Sequence, residues 1–242
     1  MKHADPRGLS RRRVEQLLSK TKNIDSAGGR IDVLSRHFLG HAYKPNPLIG
    51  SVDTDEVFTA SFDGFDCVTY IETIVALSRA SNVDDFIEWL RKIRYERGLI
   101  QWERRNHYMT QWIRNNVRTR IIKPVSMPTV PTLTRERVLN VVPGLDPQRA
   151  RVKSVPKPAV SRIERHLQTG DLIFFASTRK NLDMFHAGII VRDSKRVSMR
   201  HASRSQGGVV EQELSEFLKA NRMAGVIVVR PQAMTRRAAV SS

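Results

Sequence analysis

Apolar positions in the first hundred residues recur at helical spacing. Val14, Leu17 and Leu18 in the basic run from Arg11 to Leu18 predict a short amphipathic helix. After a loop at Asp25–Gly29, the positions Val33, Leu34, Phe38 and Leu39 predict a second helix, with Gly40 where a C-terminal cap belongs. Pro45 and Pro47 keep Tyr43–Gly50 extended or turning. Asp63-Gly64 signals a turn, and Val68, Ile71, Ile74, Val75 and Leu77 then mark the stripe of a buried helix that Cys67 opens. In the next helix Ser81 or Asn82 is the cap. Asp84, Asp85 and Glu88 lie early and Arg91, Lys92 and Arg94 late, the charge order that a helix dipole favours. Its core face is Val83, Phe86, Ile87, Leu90 and Ile93.

The second half has a different texture. Seven of the eleven prolines fall between Pro124 and Pro158, a spacing that predicts a long excursion or lid without long regular elements. After Gly170-Asp171 the runs Leu172–Phe175, Ala187–Val191, Val197–His201, Val209-Val210 and Val226–Val229 read as strands, interrupted by a helical segment at Leu214, Phe217 and Leu218. Helices first and strands later predict an α+β fold with an antiparallel sheet. We expect one catalytic domain over residues 1–242, with a basic arm at 1–12, the proline-rich excursion at 124–158 and a flexible tail at 232–242.

Composition narrows the function classes. No run approaches the roughly 18 apolar residues of a membrane-spanning helix. The 41 lysines and arginines exceed the 24 acids for a net charge of +17, which selects polyanionic partners: nucleic acid, an anionic membrane or acidic wall polymer. No nucleic-acid-binding signature accompanies the charge, so nucleic acid is not expected as the partner. Cys67 is the single cysteine and forms no internal disulfide. Met1–Ser10 carries no apolar signal-peptide core, which leaves an internal protein, a removed leader or another export route.

At a helix N-terminus a thiol is favoured as thiolate, so Cys67 is a candidate nucleophile; a small buried core residue is the plainer reading. A two-residue turn at Asp193-Ser194 would set His186 directly opposite His201, Ile190 opposite Val197 and Gly188 opposite Met199 on one sheet face. Together with Cys67 the two imidazoles fit a nucleophile, a base and an orienter. Packing alone, or a zinc site without the usual ligand spacing, are the competing readings. We expect no metal and no cofactor.

The stretch Phe65-Asp66-Cys67-Val68-Thr69-Tyr70-Ile71-Glu72, with Phe38-Leu39-Gly40 and Tyr43 upstream, resembles the NlpC/P60 superfamily of papain-like cell-wall hydrolases, and within it the N-acetylmuramoyl-L-alanine amidase-like branch DUF1460. Ile93-Arg94-Tyr95, Arg105-Asn106-His107-Tyr108, Trp112, Gly170 to Phe175, His186-Ala187-Gly188-Ile189 and Arg200-His201-Ala202-Ser203 follow in the order of that branch. Val68-Thr69 stands where the superfamily usually has Ser-Gly, and His41-Ala42 where Thr-Pro is commoner. The resemblance implies a papain-like fold with N-terminal helices packed on a central antiparallel sheet, Cys67 as nucleophile, His186 as base and His201 as orienting residue. It also implies substrate contacts by Tyr43, Asp66, Arg105, Asn106, His107 and Tyr108, and Glu72 is a candidate internal partner for one of these groups.

The function expected is a cysteine amidohydrolase cutting peptidoglycan or muropeptides, at the N-acetylmuramoyl–L-alanine amide or, alternatively, at the γ-D-glutamyl–diamino acid bond. A non-catalytic basic polyanion-binding module is the alternative of another class. The substrate places the action in the periplasm or cell envelope. A monomer is expected, with an immunity protein as partner if the enzyme is an antibacterial effector delivered into rival cells. A catalytic thiol should react with iodoacetamide well below pH 8.

Overall fold

An antiparallel sheet divides the molecule, with one hydrophobic cluster on each face. The computed structural model describes residues 5–233; most of the expected tail at 232–242 and the first part of the arm at 1–12 lie outside them. The helices are α1 (Arg11–Thr21), α2 (Ala27–His37), α3 (Cys67–Arg79), α4 (Val83–Arg94), α5 (Met109–Arg118) and α6 (Leu214–Ala220). The strands are β1 (Ile49–Ser51), β2 (Thr54–Val57), β3 (Ile122–Pro124), β4 (Leu133–Leu139), β5 (Gln148–Pro156), β6 (Leu172–Ala176), β7 (Met184–Arg192), β8 (Val197–Ser203), β9 (Gly208–Glu213) and β10 (Gly225–Pro231). The large sheet runs β4-β5-β10-β6-β7-β8-β9, with β3 also on β10; β1 and β2 form a separate hairpin. The mixed fold with helices before an antiparallel sheet is as expected.

Local signals place most of the helices. Asn82 caps α4 by accepting from the Asp85 N–H at 2.9 Å. Ser26 caps α2 by accepting from Gly29 N–H, so the loop expected at Asp25–Gly29 is itself the helix start. The arm expected at 1–12 runs into α1, which begins at Arg11. Helix α3 is buried on every side from Thr69 to Arg79. It packs across β7 and β8, while α1, α2 and α4 cover it. Arg200, 1 % exposed, ties β8 to α2 through Asp32 Oδ1 at 2.8 Å and Ser35 Oγ at 2.8 Å.

Two elements differ from expectation. The proline-rich stretch holds a regular ribbon, β4 and β5, paired from Leu133↔Ser154 to Leu139↔Gln148. Its prolines stand at the ends and in the connecting loop, so the strand interiors keep every ladder N–H. Helix α5 has no capping side chain of its own at Tyr108. Its cap is Asp183, whose Oδ2 accepts from Thr110 N–H at 2.7 Å and Thr110 Oγ1 at 2.8 Å across 73 residues of sequence.

Candidate active site

The start of α3 is built by a capping box. Asp66 Oδ1 accepts from Val68 N–H at 3.1 Å and Thr69 N–H at 2.7 Å, and Thr69 Oγ1 accepts from the Asp66 N–H at 3.1 Å. Asp66, expected as a substrate contact, therefore holds the helix start. The Cys67 N–H is the first donor of the helix that the cap does not take. Cys67 is a free, half-buried thiol, and the nearby backbone N–H groups of Ala187, Cys67 and Val68 favour its thiolate. Burial, followed by the Asp66 carboxylate, outweighs those N–H groups and pushes the thiol up to about 12. The sign is opposite to the lowering expected from a helix start: at neutral pH the ligand-free site holds a thiol.

The two histidines meet. His186 Nε2 and His201 Nδ1 are 2.8 Å apart with their rings nearly perpendicular, at 88°. The hairpin register differs from expectation by two residues. Asp193 closes a four-residue loop by accepting at Oδ1 from Lys195 and Arg196 N–H, so Ile190 pairs with Met199 instead of Val197. A shift of two keeps every side chain on its face, so the imidazoles stay together as diagonal neighbours. Gly188 makes this possible, because a Cβ there would sit 3.1 Å from Met199 Sδ and 3.4 Å from His201 Cβ.

Strand alternation puts Ala187, Ile189 and Ala202 in the cluster beneath α3, and the imidazoles against Phe217 of α6 on the other face. The thiol thus meets β7 at Ala187, next to His186, which directly follows an irregularity in the β6–β7 pairing. Among the described residues no hydrogen bond joins Cys67 to either ring, as is common in ligand-free sites. Burial and the neighbouring His201 pull His186 down to about 3, and burial pulls His201 down to about 4. Both rings are neutral at pH 7.

Beside the start of α3 opens a groove of about 330 Å³, lined by Asp66, Val68, Arg105, Asn106, His107 and the Glu72–Arg94 pair. It flanks Cys67 without including it. Arg105 is held by Gly50 O at 3.1 Å and Glu56 Oε2 at 3.3 Å. His107 Nε2 donates to Trp102 O at 2.7 Å, leaving Nδ1 as an acceptor, and burial lowers the ring to about 4. Asn106 is 5 % exposed and committed to Ile93 O at 3.0 Å and Asn115 Nδ2 at 2.7 Å. Tyr108, 2 % exposed, accepts from Val142 N–H at 3.3 Å and does not line the groove. Of the expected substrate contacts in this run, Arg105, Asn106 and His107 line the groove, with the Asn106 amide held by its own bonds, and Tyr108 turns away from it. Tyr43 borders the thiol: it bridges to Phe65, and burial, Cys67 and Asp66 raise its hydroxyl.

Glu72 has an internal partner, but it is Arg94 and not one of the expected groove groups, because the carboxylate is buried inside the helical layer where Arg94 and Trp112 reach it. Its Oε2 accepts from Arg94 Nε at 2.7 Å with both side chains 2 % exposed, and its Oε1 accepts from Trp112 Nε1 at 3.2 Å. Sequence reasoning missed Glu56, which accepts from the Tyr95 hydroxyl at 2.6 Å and helps hold Arg105; nothing in the run Thr54-Asp55-Glu56 sets it apart from the exposed acid beside it. Among the described residues no three His, Cys, Asp or Glu side chains group as metal ligands. Chemically, the arrangement offers a thiol, a linked pair of neutral imidazoles and an uncommitted N–H at a helix start.

The family described as AmiA-like, N-acetylmuramoyl-L-alanine amidase-like, matches residues 33–226. The structure is similar to an N-acetylmuramoyl-L-alanine amidase from Bacteroides uniformis, with TM-score 0.75 and 24 % identity over 85 % of this chain and 99 % of that one. It is similar to a Legionella pneumophila protein of the DUF1460 family, with TM-score 0.76 and 19 % identity over 91 % and 94 % of the two chains. A putative xylanase from Bacteroides fragilis aligns with TM-score 0.67 and 25 % identity over 81 % of this chain and 98 % of that chain. Among curated proteins none matches.

Proposed function

The chain belongs to the N-acetylmuramoyl-L-alanine amidase-like family, and from that premise we propose that it is a papain-like cysteine amidohydrolase of the NlpC/P60 type that cuts peptidoglycan between muramic acid and L-alanine. The observation that carries this reading is the 2.8 Å pair of imidazoles on β7 and β8, the strands against which the helix opened by Cys67 packs. In this reading Cys67 is the nucleophile, His186 the base and His201 its orienter.

The neutral thiol and imidazole define the sequence of proton moves. His186 Nδ1, the ring nitrogen not engaged by His201, takes the Cys67 proton as Sγ bonds to the lactyl carbonyl carbon. The oxyanion that forms lies at the Cys67 N–H, an interaction worth about 3 kcal/mol in other enzymes. Collapse breaks the C–N bond, and Nδ1 returns its proton to the departing L-alanine nitrogen. Water, deprotonated by Nδ1, then attacks the thioester and releases the muramic carboxyl group and Cys67 sulfur, which regains the proton.

The groove beside α3 would take the sugar-peptide, with Arg105 in its wall, neutral His107 Nδ1 accepting a substrate N–H or O–H, and Tyr43 beside the thiol. A glycosidase reading finds less support, since both carboxylates that line the groove are already engaged: Glu72 by Arg94 and Asp66 by two backbone N–H groups. Action at the cell wall follows from the substrate. Digestion of purified sacculi with product mass spectrometry tests the proposal. Stem peptides beginning with L-alanine are expected; fragments ending in D-glutamate would make it an endopeptidase on the same residues.

A further inference from the structure

The imidazole pair ends in an atom with no partner. His201 is 1 % exposed, and its Nε2 forms no hydrogen bond in the ligand-free protein. The proposed mechanism, on which this inference rests, needs His186 Nδ1 bare. The proton shared across the 2.8 Å contact must then belong to His186 Nε2 and be donated to His201 Nδ1. A neutral His201 that accepts at Nδ1 carries its own proton on Nε2, as a buried donor. In the opposite tautomer His201 donates, His186 is protonated on Nδ1, and no base faces the thiol. The choice between an active and an inactive pair is therefore made at His201 Nε2.

Among the described residues no carboxylate is hydrogen-bonded to either ring, and the two imidazoles are bonded to each other. Phe217 of α6 packs on both rings, and Met199 lies along the same strand. The polar group that comes up to His201 is on β9. His201 pairs with Val210 and Met199 with Gln212, so Gln212 shares the imidazole face one diagonal step from His201. Its amide lies beside the ring, short of a well-formed bond to Nε2.

We propose that Gln212 is a positioning residue that accepts the His201 Nε2 proton through its amide oxygen and so holds the His186–His201 pair in the tautomer able to deprotonate Cys67. Gln212 touches neither substrate nor thiol and acts only through His201. The amide could also turn and donate, favouring the inactive tautomer; a carboxylate there could only accept.

The test compares the full-length wild type with Gln212→Glu and Gln212→Met by ¹⁵N imidazole NMR and by the pH profile of hydrolysis. The expected spectrum has His201 protonated on Nε2 in wild type and Gln212→Glu, and mixed tautomers in Gln212→Met. Gln212→Met should lose about tenfold in kcat with KM unchanged. Gln212→Glu should keep its rate while the acidic limb of the profile moves to higher pH. The proposal is overturned if wild-type His201 is protonated on Nδ1, or if Gln212→Met leaves tautomers and profile unchanged. The spectra need no turnover, so an inactive wild type with the expected tautomers would defeat the amidase reading and leave the role of Gln212 standing.

Discussion

His107 connects the burial of the groove to a measurable free energy. Its ring donates to Trp102 O at 2.7 Å, stacks edge-on with Trp102 at 4.9 Å, and is lowered from 6.5 to about 4 by burial. The folded protein thus holds His107 neutral in a range where the unfolded chain protonates it. The stabilisation is complete above pH 6.5 and is lost as pH falls from there to about 4, where folded His107 also protonates. Between pH 7 and pH 5 this one ring removes about 2 kcal/mol of folding stability. His186 and His201 act with the same sign, while Glu56 and Glu72, raised by burial, act against it. A difference measurement isolates His107. Glutamine places an N–H where Nε2 stands and cannot titrate, so His107→Gln keeps the donor to Trp102 O. Urea unfolding at both pH values should show the variant losing about 2 kcal/mol less than wild type. An equal loss in both proteins would refute the neutral, buried His107 and its role as an acceptor in the groove.

Other outcomes follow from the same geometry. Glu72→Leu strands Arg94 in the core and should cost about 3–5 kcal/mol, lowering Tm by about 10 °C in calorimetry, and Arg94→Met added to it should restore most of the loss. Asp66→Ala should destabilise the fold by about 1 kcal/mol through the lost cap. It should also lower the Cys67 pKa, because the carboxylate raises it; alkylation followed against pH reads both proteins. In the wild type, iodoacetamide labelling should be slow at pH 7 and climb through pH 9, contrary to the ready reaction below pH 8 expected from a helix start, because burial keeps the resting sulfur protonated; a rate already at its plateau below pH 8 would show a resting thiolate. Cys67→Ser should reduce turnover by roughly 10⁴-fold with the unfolding curve unchanged.

What could be read from the sequence follows the reach of each interaction. Helix α3 was legible from its apolar stripe after the Asp63-Gly64 turn, and α4 because Asn82 lies next to what it caps. Helix α5 was not, since its cap, Asp183, arrives from the start of another strand. The shared face of His186 and His201 was legible although the register was not, because strand alternation has period two and the longer loop moved the pairing by two. The commitment of the Asn106 amide and the inward turn of Tyr108 were not legible, because four consecutive polar and aromatic residues give no indication of which side chains turn inward. The thiol shift was missed for a different reason: a helix start is visible in the sequence, and its burial against Ala187 is not.

The central claim is a covalent intermediate on Cys67. Rapid-quench mass spectrometry of the wild type during turnover of a muropeptide tests it directly. A Cys67 peptide carrying the muramoyl acyl group as a thioester, absent in Cys67→Ala, is the predicted result. Release of L-alanine-terminated stem peptides by Cys67→Ala at the wild-type rate would contradict it.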